Sequence, residues 1–349
     1  MVSKKYSAVL ALYLPIAIFA FQTPHRGFIG SLYGRRLRAA LTGKVSDLQG
    51  ITNEDLQWWH SLSRNNTIDC SCGKFTETNV TDRWTDEGIT SLNEYSWSVS
   101  LVSPGQSYAF CGGSLVNDRY VLTAASCVDG SIADGVEVLI GTWPRAHFLT
   151  PMVEPDELNL KMLIRKKVHR VILHPQYSKD HLDNNIALLR LYGPVPTYGN
   201  SDGVSPVCLP KPLQNFDSMN ATSLVWRFHT DEEIIVPVKR TEVSSVVLSK
   251  EGCKSFNYSK EWERMPDTMI CAKTDVPESS HPFFDSYDCP GDAGSALVVD
   301  GNGVKVQIGI DSWTPCYGRP KGIGVYTRVA EFIPWIELHI SQDGRNCAY

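Results

Sequence analysis

Residues 97–340 predict an all-β domain, barrel or sandwich, closed by one C-terminal helix. From Trp97 onward, short runs rich in Val, Ile, Thr and aromatic residues follow one another with turn residues between them, a pattern of many short strands. Only at the end does the apolar period lengthen to that of a helix, where Phe332, Trp335, Ile336 and Ile340 recur three to four residues apart. The chain has 349 residues, 42% hydrophobic and 20% charged, enough apolar material for a large core and well outside the range of disordered chains.

The strand runs, in order, are WSVSLV at 97–102, YVLTAA at 120–125, VEVLIGTW at 136–143 and IALLRL at 186–191. After them come TSLVWRF at 222–228, SALVV at 295–299, VQIGI at 306–310 and VYTRV at 325–329. Each is short, apolar and β-branched or aromatic, and suits a pleated, half-buried or fully buried surface. No internal repeat, low-complexity tract or long flexible linker interrupts them.

Upstream the chain reads differently. Lys4 and Lys5 precede an apolar run from Ala8 to Phe21, too short for a spanning helix of about 20 residues but suited to the core of an export signal, so residues 1–21 are expected to be a cleaved signal peptide. A buried helix and a signal anchor are the alternatives. Residues 22–83 lack period-2 strands, carry the basic run Arg35-Arg36-Leu37-Arg38, and read as a leader or pro-segment. Residues 84–349 then form the β domain.

Ten cysteines, an even number, fit an oxidising compartment and five disulfides, and their spacing offers no paired Cys-x-x-Cys sets with histidines for zinc; neither a metal nor a cofactor is expected. Four Asn-x-Ser/Thr triplets, at Asn65, Asn79, Asn220 and Asn257, are glycosylation acceptors if the chain is exported. A formal charge of −5 provides no general basic field for a polyanion, so nucleic acid is not an expected partner, and no membrane association is expected once the signal is removed.

Four motifs carry a specific resemblance: CGGSLVNDRYVLTAASC at 111–127, NNIALLRL at 184–191, CPGDAGSALVV at 289–299 and GVYTRVAEFIPWI at 324–336. In order and separation, over roughly Trp84 to Ile340, they resemble the chymotrypsin/trypsin family of serine proteases. The resemblance implies two antiparallel six-stranded β-barrels with a C-terminal helix and an active site in the cleft between the barrels. The Cys-x-Cys-Gly linker at Cys70–Gly73, with Asn93-Glu94-Tyr95 further on, is similar to arthropod secreted proteases.

Serine-protease chemistry needs a hydroxyl nucleophile, an imidazole to take and return its proton, and a carboxylate to orient the imidazole. Carried over from the family one residue at a time, the general-base position falls on Ser126, the carboxylate position on Asn185 and the nucleophile position on Ala293. A hydroxyl of very high pKa cannot act as the base, an amide has no charge to stabilise an imidazolium, and a methyl group cannot attack a carbonyl. Neighbouring groups do not rebuild the set. Ser295, Asp180 and Asp183 have no imidazole beside a nucleophile, His174 belongs to a His-Pro-x-Tyr loop element of the family, and His169 and His181 read as surface or satisfied residues. Gly291 and the Ala293 N–H outline a remnant oxyanion hole.

The resemblance also places an activation junction at Arg83–Trp84 and its internal acceptor at Asp292. The family's Ile-Val-Gly-Gly is here Trp84-Thr85-Asp86-Glu87, which puts the standard N-terminal insertion in doubt and leaves a buried Asp292 in need of other donors. The specificity pocket is altered, with Tyr287 at the charge-selecting position, Asp288 after it, Thr314 at a wall glycine and Gly324 as a further pocket residue. By resemblance Cys111 pairs with Cys127, Cys253 with Cys271 and Cys289 with Cys316. Cys208 pairs with Cys72 or Cys70, the first favoured, leaving the other for Cys347.

The expected function is therefore that of a secreted, non-catalytic protease homologue that binds an extracellular protein, an active protease or its zymogen, as cofactor, decoy or regulator of a proteolytic cascade. A weakly active hydrolase and a structural or ligand-carrying glycoprotein are the competing expectations.

Overall fold

A computed structural model of the chain describes residues 72–74, 95–106, 109–130, 135–141, 164–196, 204–212, 214–231, 234–255, 265–274, 293–313 and 323–341, with side chains omitted over 225–241. Twelve strands form two closed antiparallel barrels of six. The first contains β1 (Ser98–Val102), β2 (Ala109–Leu115), β3 (Tyr120–Thr123), β4 (Glu137–Ile140), β5 (Ile164–Leu173) and β6 (Ala187–Leu191), ordered β1-β2-β3-β6-β5-β4. The second contains β7 (Asn220–Asp231), β8 (Ile234–Val247), β9 (Met269–Lys273), β10 (Ala296–Gly301), β11 (Val304–Trp313) and β12 (Ile323–Arg328), ordered β10-β11-β12-β9-β8-β7. Closure gives every strand a hydrogen-bonded neighbour on each side and turns one face of the sheet toward the barrel interior. The two-barrel, six-stranded architecture expected from the resemblance is the one the chain adopts.

Most strands coincide with the apolar runs, and the departures have physical causes. YVLTAA is strand only through Thr123, because Ala125–Cys127 turn as a 3₁₀ segment that holds Cys127 against Cys111. β5, absent from the expected strands, reads IRKKVHRVIL, and its basic residues mask the alternation of its half-buried positions. β8 is interrupted in sequence by Pro237, which sits where the β7–β8 register shifts between Arg227 and Phe228, and an irregularity of this kind is where a strand tolerates proline. The short helix α1 (Lys250–Lys254) was likewise not read, although Ser249 caps it by accepting the Gly252 N–H.

The C-terminal helix α2 (Ile333–Ile340) follows the second barrel in sequence but packs on the core of the first, where Phe332, Ile333, Trp335, Ile336 and Ile340 join Leu188, Leu189 and Leu191. His174, 2% exposed, lies edge-on to both Phe332 and Trp335 at about 5 Å and accepts the Gln176 N–H at Nδ1. The helix thus clamps the loop that follows β5. Residues 72–74, upstream of the first barrel, dock on the second barrel through the Cys72–Cys208 disulfide. Gly73 donates to the Pro206 carbonyl and accepts from the Lys305 N–H.

Candidate functional site

The site lies on the seam between the barrels, where four pieces of chain converge. They are the turn after β3 (Ser126), the loop before β6 (Asn185), the end of β11 (Ser312) and the turn into β10 (Ala293). Two glycines bring the backbones close enough to meet. Gly294 has φ +86°, and a Cβ there would collide with the Gly112 carbonyl and the Thr123 hydroxyl. A Cβ on Gly112 would in turn strike the Ser295 side chain. With those side chains missing, the Gly112 N–H donates to the Ala293 carbonyl at 2.8 Å and the Thr123 hydroxyl donates to the Gly112 carbonyl at 2.7 Å. The Ala293 carbonyl also sits 3.4 Å from Cys127 Sγ, one residue from Ser126.

Asn185 is fully buried and uses both ends of its amide. Its Oδ1 accepts the Ser126 backbone N–H at 2.8 Å, while its Nδ2 donates to Ser126 Oγ at 3.1 Å and to Ser312 Oγ at 2.9 Å. The Asn185 carbonyl accepts the Thr327 hydroxyl at 2.8 Å, which ties the loop of the first barrel to β12 of the second. A buried polar side chain is tolerated when its capacity is met, and here it is met by the surrounding hydroxyls and one N–H.

The structure thus brings Ser126, Asn185 and Ala293 to one place. It also adds Ser312 and Thr327, which the sequence reading did not single out. The signal for Ser312 was available, since Asp311 and Ser312 are polar at the end of the mostly apolar β11, and buried polar residues in a strand need partners. Ser126, Asn185, Ser312 and Ala293 include no group that ionises near neutral pH, and no imidazole is hydrogen-bonded to Ser126 or Asn185 among the described residues. The cluster can hold hydroxyls and an amide in fixed orientation; it offers no base.

Among the other expected site residues, Gly324 is buried on β12, where a Cβ would crowd the Tyr326 ring, and Asn220 is exposed as the first residue of β7. Disulfides join Cys72 to Cys208, Cys111 to Cys127 and Cys253 to Cys271. Tyr287, Asp288, Cys289, Gly291, Asp292, Thr314, Cys316 and Cys347 lie outside the described residues, as do Asn65, Cys70, Asn79, Arg83, Trp84 and Asn257. Ser295 is buried, and its Oγ has no hydrogen-bond partner among the described residues. It lines a cavity of about 10 Å³ between Trp97 and Ala296, room for about one water.

Comparison with known proteins agrees with the architecture. The serine proteinase Stubble of Drosophila melanogaster is 28% identical over 256 residues, 72% of this chain and 30% of that protein's length. The CLIP domain-containing serine protease B4 of Anopheles gambiae is 29% identical over 274 residues, 75% of this chain and 71% of the relative. Tryptase of Mus musculus is 29% identical over 259 residues, 72% of this chain and 86% of the relative. The chain therefore spans under a third of Stubble but most of the other two. The family model for trypsin matches residues 88–336, which contain all twelve strands and the whole hydroxyl–amide cluster, and on that match the chain belongs to the trypsin family.

Proposed function

We infer that this trypsin-family chain is a secreted, non-catalytic serine protease homologue that acts by binding. Its partner is an extracellular protein, an active protease or its zymogen, which it serves as cofactor, decoy or regulator of a proteolytic cascade. The observation that carries this reading is the use made of Asn185. Its amide is consumed by Ser126 and Ser312 at the place where proton transfer would have to occur, and Ala293 offers no nucleophile. With no base, no nucleophile and no charge to orient a base, what remains is a rigid double barrel presenting loops, a scaffold suited to recognition.

In this reading residues 1–21 direct export and are removed, residues 22–83 form a leader held to the body through Cys72–Cys208, and residues 84–349 form the protease-like domain. Exported, the chain is glycosylated at Asn65, Asn79, Asn220 and Asn257, and it requires neither cofactor nor metal.

The test is labelling by a fluorophosphonate probe, with an active trypsin-family enzyme as positive control. The expected result is no labelling of the wild-type chain before or after cleavage at Arg83; stoichiometric labelling would overturn the reading. Cross-linking mass spectrometry in the native secreted fluid, on intact and Arg83-cleaved chains, then identifies the partner. Capture of a protease or zymogen supports the cascade role, and capture of only lipids, glycans or matrix proteins removes it.

A further inference from the structure

Although the formal charge of the chain is −5, β5 carries Arg165, Lys166, Lys167, His169 and Arg170 within six residues. Arg165, Lys167 and His169 occupy alternate positions and are exposed, so they line the outer face of the first barrel at ~6.6 Å intervals, two residues of strand rise apart. A register shift between Val168 and Arg170 in the pairing with β6 brings the exposed Arg170 next in the row, with Arg190 directly opposite it. Arg190 Nη1 lies 2.8 Å from His169 Nδ1, and Tyr192, 59% exposed, stands edge-on to the His169 ring at 4.7 Å. Arg165 is engaged by Glu137 at 2.6 Å and by the Gln106 carbonyl, whereas Lys167 and Arg170 form no ion pair among the described residues. Arg170 and Arg190 are like charges facing each other across the two strands.

The face also limits what it can hold. β4 pairs with β5 over residues 164–167 and β6 over residues 168–173, so part of each backbone edge is already taken and less is left for a peptide to add as a strand. The exposed large apolar side chains of this face are Leu173, at the far end of β5, and Tyr192, beside His169. A row of point cations on a rigid strand, beside one exposed ring, matches an extended chain with anionic groups repeated along it. We propose that the outer face of β5 and β6 binds a sulfated polysaccharide, with Lys167, Arg170 and Arg190 on sulfate groups and Tyr192 against a sugar ring. This site does not depend on whether the chain is catalytic.

The experiment is surface plasmon resonance of the full glycoprotein on immobilised heparin, unsulfated heparosan of matched length, and polyglutamate. Binding is expected to heparin alone, weakening with salt as counterion release requires. Lys167→Gln with Arg170→Gln should lower the affinity about tenfold at physiological salt and reduce the slope of log K against log salt by about 2. The charge-matched control Lys211→Gln with Lys273→Gln, exposed residues associated with the second barrel, should stay within about twofold of wild type. Near-UV circular dichroism confirms the fold of each variant, and Lys167→Gln alone, expected to lose about threefold, serves if the double variant folds poorly. Absence of heparin binding, equal loss in the control, or equal binding to heparosan or polyglutamate overturns the proposal.

Discussion

Replacing Asn185 by alanine removes three hydrogen bonds at once, and the three are not equivalent. The Ser126 and Ser312 hydroxyls can rotate toward other acceptors, but the Ser126 backbone N–H is fixed in direction and loses its acceptor, Oδ1 at 2.8 Å. An N–H left without its acceptor costs about 1–3 kcal/mol where water cannot reach it and less at the half-buried Ser126, and the space left by the fully buried Asn185 side chain adds to it, so Asn185→Ala should destabilise the chain by about 2–4 kcal/mol. For a domain of this size that is a fall in Tm of roughly 5–12 °C. Asn185→Asp keeps an oxygen for the Ser126 N–H and lets both hydroxyls turn to donate, so its loss should stay below about 1 kcal/mol at pH 7. Urea denaturation with unchanged m-values reads both numbers, and hydrogen exchange at the Ser126 amide should accelerate in the alanine variant only. The reasoning fails if alanine costs under about 1 kcal/mol, or if aspartate costs as much as alanine.

Three further outcomes follow from the packing. His339 on α2 is held neutral chiefly by burial and next by Arg170, its pKa pushed down to about 4. A depressed histidine stabilises the fold above the unfolded-state pKa near 6.5, and that stability is lost as the pH falls from there toward 4. Wild type should therefore lose about 2–3 kcal/mol more than His339→Gln between pH 7.5 and 4.5, read by chemical denaturation. Gly294→Ala places a Cβ at φ +86° against the Gly112 carbonyl and should cost more than about 3 kcal/mol or abolish folding, measured by soluble yield and thermal melt. Loss of the Cys72–Cys208 bond, which spans a separation of 136 residues, in a double alanine variant should cost about 2–5 kcal/mol in urea.

Much of the fold was legible because its signals are local. β1, β3, β4, β6, β7, β10, β11 and β12 announce themselves as short β-branched or aromatic runs, and the helical spacing from Phe332 to Ile340 foretells α2. β2, β5, β8 and β9 were not read as strand runs, and two of them show why. In β5 the exposed basic residues Arg165, Lys167, His169 and Arg170 break up the residues that touch the core, and in β8 a proline interrupts the run at a register shift that exists only because β7 lies opposite. Even where a run was read correctly, its partners were not, since barrel order depends on contacts between residues far apart in sequence.

The site divides in the same way. Residue identity by itself determined the chemistry available at Ser126, Asn185 and Ala293, because no folding can give an amide a charge or a methyl group a lone pair. Tertiary structure alone decided what the amide does instead. Ser312 and Thr327 lie more than a hundred residues from Asn185 in sequence, and only closure of one barrel against the other brings their hydroxyls within hydrogen-bond reach. The cationic row has the same origin, since the charges are written along β5 but Arg190 and Tyr192 come from β6 and the loop after it. Hydrophobic burial, which drives both barrels closed, is insensitive to which polar groups it carries together; their meeting is a property of the packed chain.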